Sequence, residues 1–208
     1  MQKGVGRVVI TTFYEGSAIK KIIPKLSPNK LIILIDDLKA TENKKEEMKK
    51  TLDSIKDMFR GIIEIEAIKI SSYDLPKIIE EAAKKIKEEY DKGNEILIHI
   101  TEGRKITSLA LLFAGYMNRD KIKGAYYITE ENSQLLSLPL LSLGVGESKK
   151  KILEQIFKKN GEIKKIESKL RIKQSAVYQH VQELKNEGYL EKESKKLKLT
   201  DLGRMMIL

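Results

Sequence analysis

The chain has 208 residues, of which 40 are basic, 30 are acidic and 41% are hydrophobic, and its formal net charge is +10. This length predicts one large domain or two smaller ones. The absence of cysteine excludes disulfides, thiolate zinc sites and cysteine nucleophiles, and the presence of only two histidines argues against a histidine-based metal site. No apolar run approaches the roughly 20 residues of a membrane span and no signal segment is recognisable, so we expect a cytoplasmic protein without membrane contact.

The charge is unevenly distributed along the chain. Residues 147–208 hold 16 basic and 9 acidic side chains, a net charge of +7, whereas the other residues together carry only +3. A positive excess confined to one part of a chain indicates a polyanionic partner. A surface rich in lysine and glutamate, as in heat-adapted proteins, explains the same composition, and both interpretations stay open at this point.

Strand-like and helix-like segments alternate through the first two thirds of the chain. The predicted strands are residues 5–12, 31–35, 62–70, 96–100, 125–129 and 135–143, and the predicted helices are residues 15–25, 41–60, 74–90 and 104–117. Repeated β-α units predict a Rossmann-like α/β domain, with a mainly parallel sheet, helices on both faces and a terminal β-hairpin. We assign this domain to residues 1–143 and a hinge to residues 144–147.

Residues 148–208 are predicted to form a second domain of three helices and a β-hairpin. The helices are residues 148–159, 162–170 and 173–187, and Ser194-Lys195-Lys196 forms the basic tip of the hairpin. In the third helix, Val177, Val181 and Leu184 recur at i, i+4 and i+7, which predicts a buried stripe.

The opposite face of this third helix is polar but carries little charge, which suits base edges and phosphates better than the Lys/Glu mixture used elsewhere. The pattern predicts a winged helix-turn-helix whose third helix enters the major groove of double-stranded DNA. A small three-helix protein-interaction module would use the same core. The predicted DNA contacts are Lys173, Gln174, Ser175, Tyr178, Gln179, Gln182, Lys195 and Lys196.

Two strand ends in the first domain carry candidate ligand-binding groups, because ligands of open α/β sheets bind beyond the carboxyl ends of the strands. The second of these ends places a glycine and two cations at a helix start, where the free N–H groups and the helix dipole also favour an anion. The candidates are Thr11, Thr12, Phe13, Tyr14 and Glu15 at the first end, and Thr101, Glu102, Gly103, Arg104 and Lys105 at the second. Neither a P-loop nor a G-x-G-x-x-G turn is present, and we predict no metal site and no cofactor.

The segment Thr101-Glu102-Gly103-Arg104-Lys105, followed by the small and apolar residues 107–111, resembles the Thr-Gly-Gly-Arg/Thr-Lys signature of CARF domains, the Rossmann-like sensors of CRISPR-associated proteins. Residues 71–74 and 138–141 are similar to other parts of that pattern. A CARF domain joined to a winged helix-turn-helix resembles the CRISPR-associated transcriptional regulators of archaea. The resemblance implies a homodimer whose two CARF domains form one pocket for a cyclic oligoadenylate, most often the tetra-adenylate. Glu102 departs from the signature in replacing its first glycine, and His99 departs in replacing a polar Asn or Asp.

These observations predict a ligand-responsive DNA-binding regulator of CRISPR-associated genes. In such a dimer, Arg104 and Lys105 would bind phosphates, and the loop of Phe13 and Tyr14 would stack bases. One alternative is a metal-independent ring nuclease, in which Lys105 stabilises the departing charge and Thr11 or Thr12 positions the attacking ribose hydroxyl. We favour the sensor because no strong general base lies near either loop. A regulator that senses another nucleotide-like metabolite is the remaining alternative.

Overall fold

The structure is a computed structural model, and it describes residues 6–36, 40–70, 73–141, 145–158, 174–193 and 196–207. The chain divides into two compact units, Met1–Ser142 and Leu143–Leu208. In the described residues, no helix is both long and apolar enough to cross a membrane, and no cluster of three acidic or histidine side chains could hold a metal.

The first unit alternates strands and helices, as its sequence predicts. Its elements are β1 (Arg7–Phe13), α1 (Ser17–Leu26), β2 (Lys30–Ile35), α2 (Glu42–Met58), β3 (Glu64–Lys69), α3 (Leu75–Asp91), β4 (Glu95–His99), α4 (Lys105–Met117), β5 (Ile122–Ile128) and β6 (Leu135–Leu138).

The six strands form one sheet in the order β3-β2-β1-β4-β5-β6. The first five strands are parallel and β6 pairs antiparallel with β5, so the predicted parallel sheet with a closing hairpin is confirmed. Chain order reverses between β1 and β4, which are neighbours with Thr11 opposite His99. The loops after these two strands therefore lie side by side at the carboxyl edge of the sheet.

Helices cover both faces of the sheet. Residues of α1 and α2 share one hydrophobic cluster with Val9 of β1 and Leu97 of β4. On the other face α3 packs against α4, and Gly115 of α4 lies close to Ile98. Because both faces are covered, β1, β2 and β4 are buried along nearly their whole length, which is typical of parallel strands.

Three predicted boundaries are corrected. The third strand begins at Glu64 instead of residue 62, because Ile62 and Ile63 form turns closed on the Phe59 carbonyl after α2. The last strand ends at Leu138 instead of residue 143. The next residue is Pro139, which has no N–H to donate to the sheet. Helix α4 begins at Lys105, and Arg104 is its extended N-cap residue.

The amino edge of the sheet holds a network of ion pairs. Lys30 Nζ lies 2.9 Å from Glu64, 2.9 Å from Glu66 and 3.2 Å from Glu89, whose side chain is only 1% exposed. Glu89 also accepts hydrogen bonds from Lys92 and Asn94. Burial favours the neutral forms, yet these bonds prevail: they raise the pKa of Lys30 and lower the pKa of Glu89.

The second unit contains α5 (Glu147–Lys158), α6 (Gln174–Asn186), β7 (Leu190–Glu193), β8 (Lys196–Leu199) and α7 (Asp201–Met205). Strands β7 and β8 form the predicted antiparallel hairpin. Lys149 of α5 bonds Glu183 and Glu187 at the end of α6. The predicted helix at 162–170 lies outside the described residues.

The start of α7 fits tightly against the turn that precedes β7. The Thr200 hydroxyl accepts a hydrogen bond from Gly203 N at 3.1 Å and donates one to Gly188 O at 2.7 Å. A β-carbon on Gly203 would lie 2.1 Å from the carbonyl oxygen of Tyr189, so only glycine fits at this position.

Candidate functional site

The two predicted ligand loops meet at the carboxyl edge of the sheet. Thr12 at the end of β1 donates its hydroxyl to the Glu102 carbonyl, which also accepts from Ser108 Oγ at 2.7 Å. The backbone of the loop after β4 is therefore held to the end of β1 by the Thr12 side chain.

His99 lies at the centre of a buried polar network beneath these loops. Its Nδ1 is 2.8 Å from Thr11 Oγ1 and its Nε2 is 2.7 Å from Thr101 Oγ1, which accepts from Ile128 N at 2.7 Å. Burial lowers the pKa of His99 to about 3, so the ring is neutral at physiological pH. A neutral imidazole has one donor and one acceptor nitrogen, so one threonine hydroxyl donates to the ring and the other accepts from it. In the sequence, His99 is recognisable only as a departure from the CARF signature.

Glu102 is bonded to the N-terminus of α1. Its Oε2 accepts from Gly16 N at 2.7 Å and Tyr14 N at 3.3 Å, and its Oε1 accepts from Ala18 N at 2.5 Å and Ser17 Oγ at 3.2 Å. The carboxylate thus occupies backbone N–H donors that an anionic ligand could otherwise use.

Three candidate side chains of the first loop are buried in the structure. Phe13 is 2% exposed in the core and cannot stack on a base, whereas Tyr14 is 43% exposed and lies under the Lys44 ammonium. Thr11 and Thr12 are fully buried, and both hydroxyls are hydrogen-bonded. Neither threonine reaches the surface where a ring nuclease would hold a ribose.

Arg104 extends across the carboxyl edge toward β2 and β3. Its Nε is 3.3 Å from the buried carboxylate of Asp36, its Nη1 donates to the Tyr73 hydroxyl at 3.1 Å, and its guanidinium lies over the Tyr73 ring. Lys105 is exposed at the first position of α4. Asp36 and Tyr73 were not predicted as site residues. Both follow the carboxyl ends of strands, however, and the expectation that ligands bind at these ends would have included them.

The first turn of α4 differs from that of α1. No side chain caps it, and the buried Thr107 Oγ1 has no hydrogen-bond partner among the described residues. Arg104 and Lys105 lie beside this turn, and whether it binds an anion stays a prediction.

A cleft of about 350 Å³ opens between the loops after β1, β4 and β5. Its lining includes Thr101 and Gly103, and its charged residues are Glu15, Lys21, Glu102 and Glu130. Because carboxylates outnumber cations there and neither Arg104 nor Lys105 lines it, this cleft is a poor place for a phosphate.

In the second unit, Val177, Val181 and Leu184 are buried, which confirms the predicted stripe of α6. The opposite face exposes Ser175, Tyr178, Gln179 and Gln182. Gln174 is the first residue of α6 and Lys196 is exposed at the start of β8, whereas Lys173 and Lys195 lie outside the described residues.

Two family models match the chain, and their matched ranges correspond closely to the two units. A family model described as HFX_2341_N, "-like, N-terminal", matches residues 8–133, which is more than half of the chain. The chain belongs to the HFX_2341_N family. A second model, described as the N-terminal domain of the methanogenesis regulatory protein FilR1, matches residues 140–208, immediately after the HFX_2341_N domain.

Individual relatives are distant in sequence. An uncharacterised protein of Archaeoglobus fulgidus is 25% identical over 180 residues, covering 78% of this chain and 81% of the relative. Enterococcus italicus Csm6 bound to cyclic hexa-2′-fluoro-hexa-dAMP matches with a TM-score of 0.55 and 11% identity over 89% of this chain. Protein VC1899 from Vibrio cholerae matches with a TM-score of 0.51 and 8% identity over 96% of this chain.

The chain spans 57% of the Csm6 chain and 63% of VC1899. At these identities the likeness shows the fold alone. The first unit, with its mostly parallel six-stranded sheet, therefore has a fold similar to that found in Csm6 and VC1899.

Proposed function

We propose that the protein is a ligand-responsive DNA-binding transcriptional regulator, in which a homodimer of the first unit senses a cyclic oligoadenylate and the second unit binds DNA. The observation that carries this proposal is the position of Arg104 and Lys105 at an uncapped helix start on the carboxyl edge of a sheet similar to that of Csm6. Csm6 was solved with a cyclic adenine nucleotide, and the FilR1 match supports a regulatory role.

The ligand would contact this edge through phosphates and bases. Lys105, Arg104 and the first amides of α4 would bind phosphate oxygens. Tyr14 and Tyr73, which are 43% and 54% exposed, offer ring faces on which adenines could stack. Tyr73 takes the stacking role that Phe13 cannot fill.

Dimerisation through α4 would bring two such sites together. Leu109 is 50% exposed on this helix, and the half-buried Leu112, Phe113 and Tyr116 follow it at i+3, i+4 and i+7, on the same face. A two-fold axis at this apolar surface would place two copies of Lys105 near one pocket, which matches the symmetry of a cyclic oligonucleotide.

The DNA-binding half is supported by the surface of the second unit. The exposed face of α6 carries a hydroxyl, a phenol and two amides, and the hairpin of β7 and β8 exposes Lys192, Lys196 and Lys198. Together with the net charge of +7 on residues 147–208, these groups are those of a recognition helix and a basic wing. We propose that a hinge before α5, which begins at Glu147, transmits ligand binding to this unit, for which a coupling of about 1–3 kcal/mol suffices.

Calorimetry with cyclic tetra- and hexa-adenylate tests the sensor. We expect micromolar or tighter binding of one ring, weaker binding of linear tetra-adenylate, and at least about tenfold weaker binding by Lys105→Met. Lys20→Met, which removes an exposed lysine from α1, is the matched control and should bind normally. Absence of heat with both rings would refute this half of the proposal. A cyclic ligand that stays intact after incubation with the protein would also favour the sensor over the ring nuclease. The burial of Thr11 and Thr12 argues against the ring nuclease.

Titration of the DNA upstream of the gene at several salt concentrations tests the regulator. Gln179→Ala and Gln182→Ala should each weaken specific binding by about 10- to 100-fold, whereas Lys198→Ala should lower the salt slope by about 1. Gln134→Ala, an exposed amide of the first unit, is the control. If binding is equal for all four variants, α6 is not the recognition helix.

A further inference from the structure

The N-terminus of α1 binds an oxyanion that belongs to the chain itself. Both oxygens of Glu102 accept hydrogen bonds, from the amides of Tyr14, Gly16 and Ala18 and from the hydroxyl of Ser17. The donors come from residues 14–18, whereas the carboxylate arrives from the loop after β4, more than 80 residues later. A carboxylate held by three amides and a hydroxyl is the arrangement in which proteins bind phosphate or sulfate.

The backbone around Gly16 is shaped for this contact. Gly16 has a φ of 75°, and a β-carbon there would lie 2.7 Å from Ile55 Cδ1 and 2.9 Å from Thr51 Cγ2. Glycine therefore allows the chain to turn with its amide directed at the carboxylate while α2 packs against its other side. Among the described residues, neither Gly16 N nor Ala18 N has another acceptor.

We propose that residues 14–18 form an oxyanion cradle that Glu102 keeps filled, so that this cradle is closed to anionic ligands in the native protein and opens to inorganic phosphate or sulfate when the carboxylate is removed. Glu102 thereby determines where an anion can bind at the carboxyl edge: it occupies the turn of α1 and leaves the uncapped turn of α4 free. The cradle consists only of the chain's own groups, and it exists whether or not the proposed ligand binds.

Chemical rescue of Glu102→Ala by inorganic phosphate tests the proposal. In buffer without oxyanions, this variant should unfold at a lower temperature than the native protein. Phosphate should restore much of the lost thermal stability. Measured by calorimetry, phosphate should bind Glu102→Ala at least about tenfold more tightly than it binds the native protein. Glu131→Ala is the matched control, because it removes an exposed carboxylate from the turn after β5 and changes the net charge equally.

Phosphate that stabilises Glu102→Ala and Glu131→Ala to the same extent would show only general anion binding by a basic protein and would overturn the proposal. If Glu102→Ala does not fold without phosphate but folds with it, the cradle is confirmed. If it folds in neither buffer, amide exchange in the native protein decides the question. Gly16 and Ala18 should exchange slowly because Glu102 holds them, and exchange at the rate of unprotected amides would refute the cradle.

Discussion

Gly103 lies directly against Thr12, so closely that a β-carbon on Gly103 would be 2.7 Å from the β-carbon of Thr12. Gly103 also has a φ of 92°. Two separate requirements, the left-handed backbone and the contact with β1, therefore select glycine at the turn that leads into α4.

Replacing Gly103 with alanine should destabilise the first unit by more than backbone strain alone explains. Gly93→Ala measures that strain, because Gly93 has a φ of 82° and no atom within 4 Å of its missing β-carbon. We expect about 1–2 kcal/mol for Gly93→Ala and at least about 1 kcal/mol more for Gly103→Ala, measured by chemical denaturation. Equal losses would mean that the loop moves away from Thr12 without penalty.

His99 should make the first unit less stable in mild acid. Its pKa is about 3 in the folded protein and ordinary in the unfolded chain, so the unfolded chain binds the extra proton. This stabilising contribution is complete above a pH of about 6.5 and declines as the pH falls toward 3, by up to about 1.4 kcal/mol per pH unit.

The window between pH 6.5 and 5 isolates this effect, because Glu66 and Glu89, whose folded pKa values are lowered, lose their contribution only below about pH 4.5. The free energy of unfolding should fall through this window in the native protein and much less in His99→Gln. His180→Gln, in the other unit, should retain the native slope. A slope unchanged in His99→Gln would show that other groups are responsible.

Removing Lys30 should be far more damaging than removing a lysine from an exposed pair. Lys30→Met leaves the buried Glu89 with fewer partners, and we expect a loss of about 3 kcal/mol in the unfolding free energy of the first unit. Lys50→Met breaks the exposed pair with Glu46, whose side chains are 74% and 66% exposed, and should change stability by less than about 0.5 kcal/mol. Similar losses for both variants would contradict the role assigned to the network.

Gly203→Ala should unfold the second unit selectively, because its β-carbon would overlap the Tyr189 carbonyl, which is backbone and cannot rotate away. We expect a loss of at least about 2 kcal/mol, with the unfolding of the first unit unchanged. Gly146→Ala has open space around its β-carbon and should be nearly neutral. Circular dichroism during thermal unfolding would separate the two cases, and a stable Gly203→Ala protein would require α7 to pack differently.

The sequence predicted the sheet well because buried parallel strands have a strong signature. Apolar runs such as that of β2, separated by amphipathic helices, leave few alternative topologies, and the strand-end rule correctly brought the two candidate loops together. The buried stripe of α6 was equally clear from its spacing.

The partners of individual polar side chains were not predictable in this way. The carboxylate of Glu102 finds donors that are more than 80 positions away in sequence, and Arg104 finds Asp36 and Tyr73 across three strand ends. Phe13 was assigned to the loop because the predicted strand ended at Thr12, but it is the last residue of β1 and is held in the core. These contacts depend on the exact positions of helix starts and strand ends, which periodicity does not specify.

The imidazole of His99 joins three adjacent strands, since its two threonine partners connect β1 to the loop after β4 and to the amide of Ile128 in β5. Strand ends held by a common buried ring cannot separate without leaving a polar group unsatisfied. The floor beneath the carboxyl edge is therefore rigid, and a bound molecule would be accommodated by the exposed walls, such as Tyr14, Tyr73 and Lys105. Adaptation to a ligand of different size would begin with those side chains and leave the sheet unchanged.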